Sequence, residues 1–222
     1  MGLVPSFKYL GSWVEGGGGC EKEVGVRRGR FFAAFHQLRR VWANRRHLRV
    51  RDKVAVYGAM VWPHIFYASE TWNPTAAQLN KLEVAHSHCL RRILGVRLMD
   101  KVPLETLRQR TGMPSFEVSL YQNTMRWLGH VARMPSSRYP NQLLNWEPPV
   151  TRPVGKPQQT HWRAWTRMFQ RVGFSEWEGN AKKPVGTWVQ AAMNWEEWRS
   201  KLNGLQLVAP AVAVPSRRQP DR

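Results

Sequence analysis

The sequence is poor in acid. Aspartate occurs at three positions, Asp52, Asp100 and Asp221, and none lies within three residues of another. Two-metal phosphoryl transfer needs two or three carboxylates converging on ions about 4 Å apart, so no local aspartate pair supports such chemistry. A set assembled from distant carboxylates is the remaining route to it. Cysteine is scarce too: Cys20 and Cys89 are too few for a disulfide framework and fit a reducing compartment, hence an intracellular site in nucleus or cytoplasm. No apolar run approaches the roughly 20 residues that span a bilayer, and an acidic membrane surface is a lesser reading of the charge than nucleic acid, so no membrane partner is expected. No basic segment followed by an apolar core opens the chain, so no secretory signal is expected. The glycine run Gly16 to Gly19 lacks the Gly-Lys-Ser/Thr of a phosphate loop and precedes acidic residues. His86, His88 and Cys89 lack a second Cys/His pair at zinc-site spacing, and Cys89 falls on an apolar stripe, where it reads as core.

What the chain has instead is positive charge. Lys and Arg number 34 against 15 acids, a net +19 with a pI near 11.1. Such an excess favours polyanionic partners through phosphate contacts and counterion release. From Glu21 to Lys53 eleven Lys/Arg face three acids, net +8, which favours a phosphate-tracking face over an ordinary solvated one. Hydrophobic content of 42% over 222 residues supports a globular core.

The pattern is mainly helical. Phe7 to Gly11 alternates aromatic and polar residues and reads as a strand that continues to Trp13 or Val14; it needs a pairing partner, and a second polypeptide could supply one. Gly16 to Gly19 reads as a flexible turn. One long helix is expected over Glu21 to Asn44, with Val24, Phe31, Phe35, Leu38 and Trp42 on its inner face and Arg27, Arg28, Arg30, Arg39 and Arg40 on its outer surface. A second helix starts near Val50, with Val50, Val54, Tyr57 and Val61 inward, and ends or kinks at Pro63. After an aromatic connector, Phe66 to Trp72, Thr75 is positioned to cap a third helix with Leu79, Leu82, Cys89, Leu90 and Ile93 inward, stopped by Gly95. Arg91, Arg92 and Arg97 gather at that end. A short helix over Pro103 to Arg110 closes at Gly112, and Ser115 caps another that runs to about Arg133. There Gly129 implies a close backbone approach, and His130 is either a nucleic-acid contact or a hydrogen-bonded packing residue, with packing the favoured reading.

Residues 135–159 are punctuated by proline and read as a linker carrying the basic tract Arg152 to Pro157. Trp162, Trp165, Phe169 and Val172 restart a helical stripe. Trp188, Ala192, Trp195 and Trp198 mark a last helix ending near Leu202. Most of the twelve tryptophans read as core anchors, with a minority free to stack on bases. The expected organisation is a strand and glycine turn over 1–19, a helical domain over 20–134, a linker over 135–159, a helical region over 160–202 and a disordered tail over 203–222.

These residues, taken in order, resemble the end of a reverse transcriptase of the LINE-like, non-LTR retrotransposon family. Phe7-Lys8-Tyr9-Leu10-Gly11, the Gly turn, the acidic helix start and then Ala34-Phe35, Leu38 and Trp42 match it. Lys53 and Tyr57 resemble its second thumb-region helix, and Tyr67-Ala68-Ser69-Glu70-Thr71-Trp72 resembles its Tyr-Gly-x-Glu-x-Trp signature, with Ala68 in place of Gly. Cys89 to Gly95, Trp127 to Met134, Arg152 to Pro157 followed by Trp162, and Trp198-Arg199 extend the similarity to about Leu202. The aspartate often found soon after the linker's Arg-Trp is missing from His161-Trp162-Arg163-Ala164.

The resemblance implies a mainly α chain: a short N-terminal β-strand or hairpin, a helical thumb-like bundle and a smaller C-terminal helical region. It implies a C-terminal piece of an RNA-directed DNA polymerase that starts after the palm and lacks the catalytic aspartates. Tyr9, Leu10 and Gly11 would lie near a primer end. Arg27, Arg28, Arg30, Arg39, Arg40, Arg45, Arg46, Arg91, Arg92, Arg152 and Lys156 would contact phosphates. RNA, RNA–DNA duplex and the palm and fingers of the parent enzyme are the implied partners. No cofactor is expected in this chain; Mg2+ is implied only for the complete parent. The alternatives are a metal-dependent polymerase or nuclease with dispersed carboxylates, and a relic without function.

Overall fold

A computed structural model of the chain describes residues 4–16, 19–44, 46–144, 161–173 and 187–206, with backbone alone at 161–163 and 187. It divides into two compact units, Met1–Val131 and Ala132–Arg222. The fold class is the expected one, helices preceded by a two-stranded hairpin.

Strands β1 (Ser6–Tyr9) and β2 (Ser12–Glu15) pair antiparallel, Phe7 opposite Val14 and Lys8 opposite Trp13. The continuous strand expected over Phe7 to Val14 is therefore corrected. The chain reverses at Leu10–Gly11, both at positive φ (46° and 85°), the two-residue turn whose twist matches a hairpin. The strand pairs with its own continuation. The glycine run begins only after the hairpin closes, where the Gly16 N–H donates to the Pro5 carbonyl at 3.0 Å.

The expected single helix to Asn44 is two, α1 (Glu21–Gln37) and α2 (Arg39–Ala43). The Phe35 carbonyl is shared between the Leu38 N–H at 3.2 Å and the Trp42 indole N–H at 2.7 Å, which tightens the chain there. The Trp42 ring stacks on Phe35 at 4.8 Å. Helix α3 (Val50–Val56) continues through a π turn (Tyr57–Val61) and a 3-10 turn (Trp62–His64) that absorb Pro63. Tyr57 and Val61 are buried, but Val50, expected inward, is exposed.

Helix α4 (Ala76–Leu94) has the expected ends. Thr75 Oγ1 accepts the Gln78 N–H at 3.3 Å, Gln78 Oε1 accepts the Thr75 N–H at 2.8 Å, and Gly95 terminates it at φ 71°. Helix α5 (Leu104–Thr111) stops at Gly112 with φ 67°. Ser115 Oγ accepts the Val118 N–H at 3.2 Å to start α6 (Phe116–Ala132). His130 is exposed, which corrects its reading as a packing residue.

The core of the first unit is aromatic. Phe31, Phe35, Trp42, Tyr57, Phe66, Trp72 and Phe116 are buried, with Leu82, Cys89, Leu90 and Leu107 beneath them. Truncating a fully buried ring such as Phe31 to alanine costs about 3–5 kcal/mol in a core of this kind.

In the second unit, α7 (Tyr139–Leu144), α8 (His161–Arg171), α9 (Thr187–Met193) and α10 (Trp195–Asn203) are described. The proline-punctuated stretch is not all linker, because Pro140 sits in the first turn of α7, where no intrahelical donor is needed. The expected last helix is broken at Asn194, whose side chain accepts the Glu197 N–H at 3.3 Å and starts a new helix. Trp188 and Trp198 are buried 6.2 Å apart, whereas Trp195 is exposed beneath the Arg133 guanidinium at 4.8 Å. The tract Arg152 to Pro157 and residues 207–222 lie outside the described residues.

Candidate nucleic-acid interface

The hairpin turn is held by a charged cluster on the first helix. Glu23 and Arg27 are four residues apart on α1, and their side chains pair at 2.6 Å with only 1% and 2% of each exposed. A buried pair persists when its remaining atoms are also satisfied. Arg27 Nη2 donates to the Gly11 carbonyl at 2.8 Å, and Glu23 Oε2 accepts the Trp13 N–H at 2.7 Å. Tyr67 completes the cluster: its hydroxyl donates to the Leu10 carbonyl at 2.6 Å, and its ring lies 4.3 Å from the Arg27 guanidinium. Lys22 grips the hairpin from outside, with Nζ 3.3 Å from the Trp13 ring centre and 2.9 Å from Ser6 Oγ.

Backbone carbonyls of the turn thus point into the protein while its side chains point out. Leu10 is 76% exposed and in the left-handed region, where a leucine is disfavoured. Tyr9, Phe7 and Val14 are exposed beside it. Backbone strain and exposed apolar surface thus coincide at this one turn. Next to Tyr67, Ala68 stands where the resembled signature has Gly, and its φ is 57°.

The second feature joins the ends of α2 and α4. A cavity of about 210 Å³ is lined by Trp42, Ala43, Arg91, Arg92, Gly95, Val96 and Arg97. Both helices end there, so partial negative charge from their last carbonyls falls on the cavity, and Arg91 and Arg92 offset it. Arg91 Nη2 donates to the Val102 carbonyl at 2.8 Å, while its Nη1 is buried with no hydrogen-bond partner. An unmatched buried guanidinium nitrogen costs free energy until an acceptor reaches it. Arg28, Arg30, Arg39, Arg40, Arg46, Arg92 and Arg97 are exposed, and none of them is in an ion pair among the described residues.

The buried titratable groups point to packing. Tyr57 Oη and His86 Nδ1 are 2.8 Å apart inside the aromatic core. Burial pushes the imidazole down to about 3, opposed by the Pro114 carbonyl and reinforced by Arg108, so it stays neutral. Burial pushes the Cys20 thiol up to about 11 and the Cys89 thiol up as well, so both are poor nucleophiles. Among the described residues no three His, Cys, Asp or Glu side chains gather as metal ligands, so these residues do not fit the carboxylate cage of a two-metal centre. No helix among them is long and apolar enough to cross a membrane.

Of the residues expected at the interface, Tyr9, Leu10, Arg28, Arg30, Arg39, Arg40, Arg46 and Arg92 are exposed, and Gly11 and Arg91 are half-buried. Arg27 is corrected: it faces inward and is consumed by Glu23, Gly11 and Tyr67. Arg45, Arg152 and Lys156 lie outside the described residues. Glu23, Tyr67, Trp42 and Arg97 were not among the expected site residues. One signal was available for the buried pair. The inner-face positions Val24 and Phe31 are seven apart, and Arg27 fills the gap between them at helical spacing.

No protein-family model matches the sequence, and no solved structure matches it significantly. Over 209 residues the chain is 22% identical to a Caenorhabditis elegans protein described as uncharacterized and transposon-derived, a match covering 88% of this chain and 69% of that one.

Proposed function

We propose that this chain is the thumb-like, nucleic-acid-gripping part of a LINE-like retrotransposon reverse transcriptase, acting inside the cell on RNA–DNA or RNA duplex. It grips the phosphate backbone without carrying the catalytic aspartates. The observation that carries the reading is the cavity walled by Arg91, Arg92 and Arg97, of which Arg92 and Arg97 are exposed and outside every ion pair among the described residues. A phosphate accepts from such guanidinium groups, which bind it in the planar forked geometry that lysine lacks. Exposed, unpaired arginines also lie on α1 and α2, and the cavity wall includes Trp42 and Ala43 of α2. The similarity to a transposon-derived protein supports a mobile-element origin. In this reading the Leu10–Gly11 turn meets the primer end, and the outward face of Phe7, Tyr9 and Val14 meets the palm of the parent enzyme.

The test is titration of a labelled RNA–DNA heteroduplex at increasing salt. Log Kd is expected to rise linearly with log salt, with roughly 0.7–0.9 per phosphate contact. Arg92→Glu with Arg97→Glu is expected to weaken binding at least tenfold. Absence of binding in dilute buffer, or primer extension by the purified chain with Mg2+, overturns the reading.

A further inference from the structure

The loop that leaves α4 carries two of the most exposed apolar side chains in the first unit. Leu98 is 78% exposed and Met99 is 84% exposed. Water-exposed aliphatic groups at a loop tip are unfavourable unless something covers them, and no side chain of the loop does so. The loop is also built to keep them out. The Arg97 N–H donates to Asp100 Oδ2 at 2.7 Å, and the Lys101 N–H donates to the Leu98 carbonyl at 3.1 Å. Lys101 takes a left-handed φ of 49° to close the turn. Arg91 spans the base of the loop through the Val102 carbonyl, and the Val96 N–H donates to the Arg91 carbonyl at 2.9 Å.

The charges flanking the tip in sequence are mostly positive. Arg91, Arg92, Arg97 and Lys101 outnumber Asp100, the one acid between Arg91 and Val102, whose carboxylate accepts the Arg97 N–H. The cavity wall ends at Arg97, and Leu98 follows it directly. A pair of aliphatic side chains on a hydrogen-bonded turn, directly following the last wall residue of a basic cavity, has the form of a wedge. Such a wedge enters between base steps while neighbouring cations hold the backbone on either side. Methionine suits that role because its thioether is polarizable and adapts to the ring faces it meets.

We propose that Leu98 and Met99 form an apolar wedge that unstacks a base step of a duplex whose phosphates are held by Arg91, Arg92, Arg97 and Lys101. The proposal rests on the nucleic-acid reading of the cavity and adds a distortion of the bound duplex to it. A lipid surface is the other occupant that basic residues and aliphatic tips could serve. The discrete cavity and the single two-residue tip favour a polynucleotide, because an interfacial membrane anchor spreads its apolar contacts along a helix face.

The test uses the full chain and an RNA–DNA heteroduplex carrying 2-aminopurine at successive positions of the DNA strand. The native chain is expected to raise fluorescence at least twofold at one or two adjacent positions. Leu98→Ser with Met99→Ser abolishes that rise while leaving affinity within about threefold and the salt slope unchanged. Both sites are exposed, so the variant keeps its fold, and matching far-ultraviolet circular dichroism checks this. Salt-dependent binding with no fluorescence rise at any position overturns the wedge and leaves the phosphate-gripping reading standing. An unchanged rise in the double variant also overturns it. Failure to bind the heteroduplex at all overturns both. Binding to phosphatidylserine vesicles that is lost in the double variant, without heteroduplex binding, overturns the wedge in favour of a lipid surface.

Discussion

Arg27 and the arginines at the end of α4 are the same residue put to opposite uses. Arg27 is buried, and Glu23, the Gly11 carbonyl and the Tyr67 ring all engage it. Arg92 and Arg97 are exposed and unpaired, and Arg91 keeps one buried nitrogen without an acceptor. The first arrangement is complete and therefore structural: it fixes where the hairpin turn stands. The second leaves guanidinium groups without protein partners, and the proposed phosphate contact is placed there. Counting basic residues cannot separate the two; counting the partners of each guanidinium can.

The strongest way to break this comparison is to remove half of the buried pair. Arg27→Met leaves Glu23 as an uncompensated buried carboxylate and is expected to cost about 3–5 kcal/mol in urea denaturation. Glu23→Leu together with Arg27→Met is expected to recover most of that loss, since an apolar pair of similar volume replaces both charges. The double variant still releases the turn, which hydrogen exchange reads as faster exchange at the Trp13 amide that Glu23 now holds. If Arg27→Met alone leaves stability unchanged, the inward arginine is no more structural than the outward ones.

A smaller effect separates buried from exposed histidine. His86 titrates near 3 in the folded protein and near 6.5 when unfolded, because burial disfavours its charged form. Between those values the unfolded state binds the proton and the folded state does not. Stability therefore falls as pH drops from about 6.5, by about 1.4 kcal/mol per unit from this residue. His86→Gln is expected to flatten that part of the stability profile, whereas His130→Gln, at an exposed site, leaves it unchanged. Equal slopes in the three proteins would refute the assignment.

Next in size is Ala68, which holds Tyr67 against the turn in a left-handed conformation. Ala68→Gly removes the Cβ strain and is expected to stabilise the protein by about 1 kcal/mol in the same denaturation assay. The least effect on stability belongs to the outward arginines. Arg92→Gln with Arg97→Gln is expected to change it by less than about 0.5 kcal/mol, although heteroduplex affinity falls. A larger loss of stability would make those arginines structural and erase the contrast with Arg27.

Features whose cause is local were legible before any coordinates. Thr75, Gly95, Gly112 and Ser115 begin or end helices through contacts within a few residues, and each is where the sequence pattern placed it. The turn at Leu10–Gly11 was hidden because leucine rarely takes positive φ, and the alternation of Phe7 to Leu10 runs smoothly into Ser12 to Val14. The break at Leu38 was hidden because it depends on the Trp42 indole reaching back to Phe35. Helix α7 was masked by Pro140, a residue that breaks helix interiors but is tolerated in a first turn.

The sequence by itself determined the charge excess, the scarcity of aspartate, most of the apolar stripe of α4 and the helix ends set at Thr75, Gly95, Gly112 and Ser115, because each depends on composition or on neighbours within a turn or two. Only the tertiary structure decided which arginine turns inward and which wait at the surface. That choice depends on partners beyond the local turn, such as Tyr67 and the Gly11 carbonyl for Arg27 and the Val102 carbonyl for Arg91. A guanidinium is placed by the acceptors within reach of its nitrogens, and those are set by packing.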